Sequence, residues 1–180
     1  MQTDELIAAV DAEWVAERTR ELVEVFSVTM AEAEVCRLYE EMMREIGLEV
    51  DVCEVSPGRN NLYARIAGCG DGPALMLNGH LDTIPVGNCP SCYREGDRIY
   101  GRGTTDMKGG MAAMLGAARA FRRGGPSNGA PPVHFWLWRL WGQISLISPT
   151  PQNSMFSVSY THLRAHETEA DLVCRLLLEK

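Results

Sequence analysis

The chain has little of what would mark it for nucleic acid, for a membrane or for export. It carries 17 lysines and arginines against 24 aspartates and glutamates, a formal net charge of -7, and the basic residues are spread along its length. No basic stripe is present to meet a phosphate backbone, so nucleic acid is excluded as the expected partner and a small molecule is expected instead. No apolar run approaches the roughly 18 residues that a membrane span requires. The opening MQTDELIAAVDAEW is acidic and lacks the basic-then-apolar order of a secretory leader, which makes the cytoplasm the expected compartment. Six cysteines occur, but Cys36, Cys53 and Cys69 are scattered as in a reduced intracellular protein rather than spaced as a disulfide framework. The Gly-Lys-Ser/Thr run of a phosphate-binding loop is also absent around Lys108.

What is present fits one domain of ordinary size: 180 residues, 46% of them hydrophobic, within the usual range of roughly 100–200 per domain. Over residues 4–26 apolar side chains recur at helical spacing, with Leu6, Val10 and Trp14 in one row and Leu22, Val25 and Phe26 following, which predicts one amphipathic helix. Thr29 with Glu32 three residues on reads as a capping box opening a second helix. Val35, Leu38, Met42 and Ile46 form its buried stripe, and Gly47 supplies the left-handed residue that ends it. LEVDVCEV and NLYARIA then alternate with period two across an SPGRN turn and predict neighbouring strands. ALMLNGH is a continuous apolar run, as expected of a strand buried on both faces. A Pro/Gly/Asn-rich loop over residues 81–98, a small-residue helix over 107–121 and a buried strand over 133–137 complete the pattern. The expected fold is α/β, a layered domain with a mixed central sheet and flanking helices.

The chemistry concentrates between Asn78 and Gly110, in the phrases NGHLDTIPVG and YGRGTTDMKGG. On extended backbone residues two apart face one side, so His80 and Asp82 present an imidazole and a carboxylate to one point at the end of the sheet. Imidazole is a good zinc ligand, and its second nitrogen needs a carboxylate or carbonyl to fix the tautomer. Asp106 follows a glycine-rich turn and precedes a helix, where backbone N–H groups favour negative charge. A carboxylate so held can bridge two metal ions, or it can be a simple N-cap. GRGTTD also brushes against the dinucleotide pattern G-x-G-x-x-G, but Asp106 stands at the third glycine. Cys89 and Cys92 form a C-x-x-C without the second pair that a structural zinc requires, and read as plain loop cysteines. His134, on a presumed core strand, reads as structural.

NGHLDTIPVG followed by YGRGTTDMKGG resembles the M20 family of metallopeptidases and deacylases, a group including acetylornithine deacetylases, succinyl-diaminopimelate desuccinylases, aminoacylases and carboxypeptidases. The similarity runs over about residues 4–137 and implies the N-terminal half of a zinc-peptidase-like catalytic domain. By that resemblance His80 is a ligand to one zinc, Asp82 is the catalytic-site carboxylate that orients it, and Asp106 bridges two zinc ions. Cobalt or manganese would suit the same donors. The implied reaction is hydrolysis of the amide bond of an N-acyl amino acid or small peptide. A non-catalytic relative that binds such molecules is the alternative.

The family pattern is incomplete. Family members follow the strand at 133–137 with an acidic phrase holding the general base and a zinc ligand. Here the chain reads WRLWGQISLISPT, and between Glu95 and Glu167 the acidic residues are Asp97 and Asp106. The later ligands and the inserted lid or dimerisation domain have no counterpart, so a homodimer is expected only where that lid is present. Residues 138–157 read as a divergent edge strand and loop or as a frame-shifted segment. Residues 158–180 resemble the translation of a transposase-type sequencing adapter, which removes His162, His166 and Cys174 from consideration. The chain as it stands is expected to be inactive.

Overall fold

The computed structural model describes residues 3–67, 75–124, 133–137 and 156–157; the side chains of 133–137 and the segments 138–155 and 158–180, with His134, His162, His166 and Cys174, lie outside the described residues. The N-terminal region is helical, but the single expected helix is two. Helix α1 spans Thr3–Ala8 and α2 spans Ala12–Glu24. The division falls at Asp11, whose extended backbone and carboxylate, accepting the Trp14 N–H, make it the N-cap of α2; a side chain that satisfies a free helical donor starts a helix wherever it stands. Leu22 is fully buried, whereas Val10 and Phe26, which the helical spacing also counts among the apolar positions, are exposed.

Helix α3 covers Ala33–Glu45, with Glu32 rather than Thr29 as N-cap. The capping box does not form: the Glu32 carboxylate reaches back to the Met30 N–H, and the Thr29 hydroxyl is engaged elsewhere. The C-terminus follows the sequence reading. Gly47 adopts φ +81°, Leu48 N–H donates to Met43 O and Gly47 N–H to Arg44 O, the paired closure that relieves the last orphan carbonyls.

Strands β1 (Val50–Ser56) and β2 (Arg59–Ile66) form the expected hairpin around Gly58. Strand β3 is Leu75–Gly79; β4 (Tyr93–Glu95) and β5 (Arg98–Tyr100) make a separate two-stranded ribbon; helix α4 is Gly109–Gly124; β6 is Val133–Leu137 and β7 is Phe156–Ser157. The ribbon corrects the expectation of a plain loop over 81–98. It is closed by Gly96 at φ +61° and by stacking of Tyr93 on Tyr100, 4.7 Å between ring centroids.

The main sheet has the order β1-β2-β6-β3-β7. β1 and β6 run antiparallel to β2, while β3 runs parallel to β6 and β7, so the sheet is mixed as expected. Leu62 lies opposite Leu137, and Leu137 opposite Gly79. One edge therefore gathers the start of β2 and the ends of β6 and β3. Leu62, Ala64 and Ile66 alternate toward a core completed by Val35, Tyr39, Met42 and Met43 of α3 and Met111, Ala112 and Leu115 of α4. The Tyr39 hydroxyl donates to Met111 O and ties the two helices together. β3 is less covered than its apolar sequence predicts: Leu75 and Asn78 are exposed, Met76 and Leu77 half-buried, and Gly79 buried. Among the described elements the packing on this sheet comes from α3 and α4, so its hydrophobic run is not enclosed on both sides.

Candidate metal centre

His80 stands immediately after β3, at the edge where β2, β6 and β3 meet. Gly79 before it is held close to α4: a Cβ there would lie 2.5 Å from Met111 Sδ and 2.6 Å from Met107 Cε. The absence of a side chain lets the end of β3 settle onto the start of α4, which brings the two signature phrases together.

The His80 ring lies between two carboxylates. Its Nδ1 is 3.2 Å from Asp82 Oδ1 and 3.1 Å from the Asp82 carbonyl oxygen, and its Nε2 is 3.1 Å from Asp106 Oδ1. Asp82 is the more enclosed carboxylate, its side chain 13% exposed against 65% for Asp106. Its second oxygen accepts a hydrogen bond from Thr29 Oγ1 at 2.7 Å. The His80–Asp82 pair thus forms as period two suggests, although both residues lie beyond the end of the strand.

Burial works against charge on His80, but the hydrogen bonds to Asp106 and Asp82 outweigh it and push its pKa up to about 10. The Asp82 pKa is lowered, chiefly by its bond to His80 against the opposing effect of burial, with the Thr29 bond adding to the lowering. Both hydrogen bonds favour the protonated ring. A metal needs the neutral ring, so binding at Nε2 has to displace a proton.

Asp106 belongs to a wide turn, Thr104–Lys108, that precedes α4 and leaves helical geometry at Asp106 (φ -121°, ψ 94°) and Met107. The Asp106–Met107 peptide is cis. The turn is closed by Lys108 N–H donating to Gly103 O. α4 consequently starts at Gly109 rather than at 107, and Asp106 is not its N-cap. Gly103, at φ +84°, could not carry a side chain without strain, since a Cβ would also stand 2.6 Å from Thr83 Cγ2.

Three residues that support the site carry no obvious sequence signal. Residues 27–29 run beside 81–83: Thr83 N–H donates to Ser27 O, Thr29 N–H to Thr83 O, and the buried Ser27 hydroxyl to Leu81 O. This pairing aims Thr29 at Asp82. Lys108, singled out in the sequence only to reject a phosphate loop, is almost wholly buried, and its ammonium donates to Val25 O at 2.8 Å. Burial pushes its pKa down to about 8. Cys89 and Cys92 are free thiols in half-buried positions, and the Cys92 pKa is raised by burial.

His80 and Asp106 have the spacing of two donors to one ion. Zinc–nitrogen and zinc–oxygen bonds of about 2.0–2.2 Å in a tetrahedral arrangement put the ligand atoms about 3.4 Å apart, and the observed separation is 3.1 Å. The fit extends to these two donors. Among the described residues no group of three or more His, Cys, Asp or Glu could hold a metal ion.

Residues 76–138 match the model of peptidase family M20/M25/M40. That segment, about a third of the chain, is similar to the M20 family. The matched segment holds both phrases from which the site is built. Among curated relatives, a succinyl-diaminopimelate desuccinylase from a Methylobacterium species is 45% identical over 74 residues, 37% of this chain and 18% of the relative. Another, from Roseobacter denitrificans, is 36% identical over 119 residues, 62% of this chain and 31% of the relative. An aminopeptidase, PepT, from Bacillus cereus superposes with a TM-score of 0.60 at 26% identity, covering 72% of this chain and 36% of the other. The fold is thus the α/β arrangement expected from the sequence, and the chain spans no more than about a third of the curated relatives named.

Proposed function

We propose that residues 1–137 are the N-terminal part of the catalytic domain of a metal-dependent hydrolase, of the deacylase or carboxypeptidase class, acting on the amide bond of N-acyl amino acids or small peptides in the cytoplasm. The observation that carries the reading is the His80 ring held at both nitrogens, Asp82 on Nδ1 and Asp106 on Nε2, each near 3.1 Å. In this reading Asp82, fixed by Thr29, sets the orientation of His80; His80 Nε2 and the Asp106 carboxylate would hold the zinc ions. The ions would supply a water acidified toward hydroxide at neutral pH. Phe26, Met30 and Ile84, which flank the paired segments beside Asp82, are exposed and offer an apolar rim to an acyl or side-chain group. No helix among the described residues is long and apolar enough to cross a membrane.

The same reading makes this chain inactive by itself, because a catalytic zinc wants three protein ligands and an open position and the described residues offer no such set. It also treats residues 138–157 as divergent or frame-shifted and 158–180 as adapter-derived. The test is a Zn2+ titration of the intact chain by competition with a chromophoric chelator. One weak site is expected, lost in both His80→Ala and Asp106→Asn; binding that survives both changes refutes the assignment. For a full-length protein with this N-terminal sequence, hydrolysis that persists after exhaustive chelation would rule out the metal mechanism. Tight substrate binding without turnover would favour the non-catalytic alternative.

A further inference from the structure

α4 begins beside the candidate metal centre and runs for 16 residues, so its last turn lies roughly 20 Å along its axis from the site. There the surface holds a cavity of about 320 Å³ lined by Trp14, Glu45, Ile46, Arg119, Arg122 and Arg123. Its carboxylates are already matched: Glu45 is 3.5 Å from Arg18, and the neighbouring Asp11 is 3.3 Å from Arg119. The Arg119 guanidinium lies over the Trp14 ring, 4.6 Å from its centroid, and rests there as a planar donor fork. The Arg122 guanidinium lies against Gly47, its Nη2 3.0 Å from where a Cβ would stand. Among the described residues neither Arg122 nor Arg123 makes a hydrogen bond or a close ion pair, although Asp11 feels the charge of Arg123 as well as that of Arg119.

Two surplus positive charges therefore face one cavity, in a chain whose formal net charge is -7. A helix C-terminus by itself favours a cation in its last turn, but that preference calls for neither a cavity nor an aromatic wall. Arginine forks bind tetrahedral and planar oxyanions through paired N–H donors, and more strongly than single point charges do. We propose that this cavity is a binding site for a small multivalent oxyanion of the phosphate type, held by Arg122 and Arg123 with Arg119 fixed in place by Trp14. The inference does not depend on the metal reading.

The test is isothermal titration of the intact chain with inorganic pyrophosphate at low ionic strength. The expected result is saturable one-site binding that weakens as salt is added, and that falls at least fivefold in Arg122→Gln/Arg123→Gln. Both side chains are exposed, and unchanged circular dichroism would show that the double variant keeps its fold. Glu45→Gln, which removes negative charge from the wall and leaves the three arginines in place, is expected to tighten binding about twofold or more. Absence of saturable binding, a loss smaller than fivefold in the double variant, or no tightening in Glu45→Gln each overturns the proposal.

Discussion

Replacing Thr29 by valine keeps the β-branched shape and the backbone pairing with Thr83 but removes the hydroxyl that donates to Asp82 Oδ2 at 2.7 Å. Hydrogen bonds to charged groups contribute about 1.5–3 kcal/mol. Both partners retain some exposure, so water recovers part of that, and a loss of about 1–2 kcal/mol is expected. Urea denaturation of the wild type, Thr29→Val, Asp82→Ala and the double variant closes a cycle that isolates the pair from the other contacts of Asp82. Thr29→Ser, which restores a donor, should recover most of the loss. A coupling below about 0.3 kcal/mol, within the additivity expected of independent sites, would mean that Thr29 does not hold Asp82, and the case for it as a support of His80 would fall. If the coupling is present, metal affinity should drop as well, because groups that orient a ligand commonly change affinity by about 10–100-fold.

Gly103→Ala combines a left-handed backbone with a Cβ 2.6 Å from the buried Thr83 side chain; it should destabilise by about 2–3 kcal/mol in denaturant titrations, and a near-neutral result would contradict the tight turn. Lys108 is a base whose pKa burial pushes down to about 8, below the ordinary lysine value of 10.5. Between those values the unfolded chain binds more protons, so this residue makes stability rise with pH across that window. Lys108→Met should remove that contribution, read as the difference between the two proteins in urea midpoint at pH 8 and pH 10. Among the described thiols, exposed Cys53 should be alkylated first and Cys36 last, since Cys36 is buried and its thiol pKa is pushed up to about 11; mass spectrometry over a time course gives the order. Leu115→Ala, in a fully buried position of α4, should cost about 2–5 kcal/mol, measured by thermal or chemical unfolding.

The sequence by itself determined what depends on neighbouring residues. The stop at Gly47, the β1–β2 hairpin, the strand at 133–137 and the approach of His80 to Asp82 all follow from periods of 3.6 or 2 and from one backbone conformation that glycine permits. The break at Asp11 was written there too, in an N-cap that the longer apolar period over residues 4–26 concealed. Tertiary structure decided the rest. Thr29 was a plausible capping residue until the strand-like pairing of 27–29 with 81–83 turned its hydroxyl toward Asp82, 53 residues away. Lys108 is buried because the Thr104–Lys108 turn packs against the Val25 carbonyl, a partner that no local pattern specifies. The insertion of β6 between β2 and β3 joins segments far apart in the chain and assembles the edge at which His80 stands. Local patterns carry no information about which distant backbone or side chain will occupy the other side of a hydrogen bond; that partner exists only after the layers have packed.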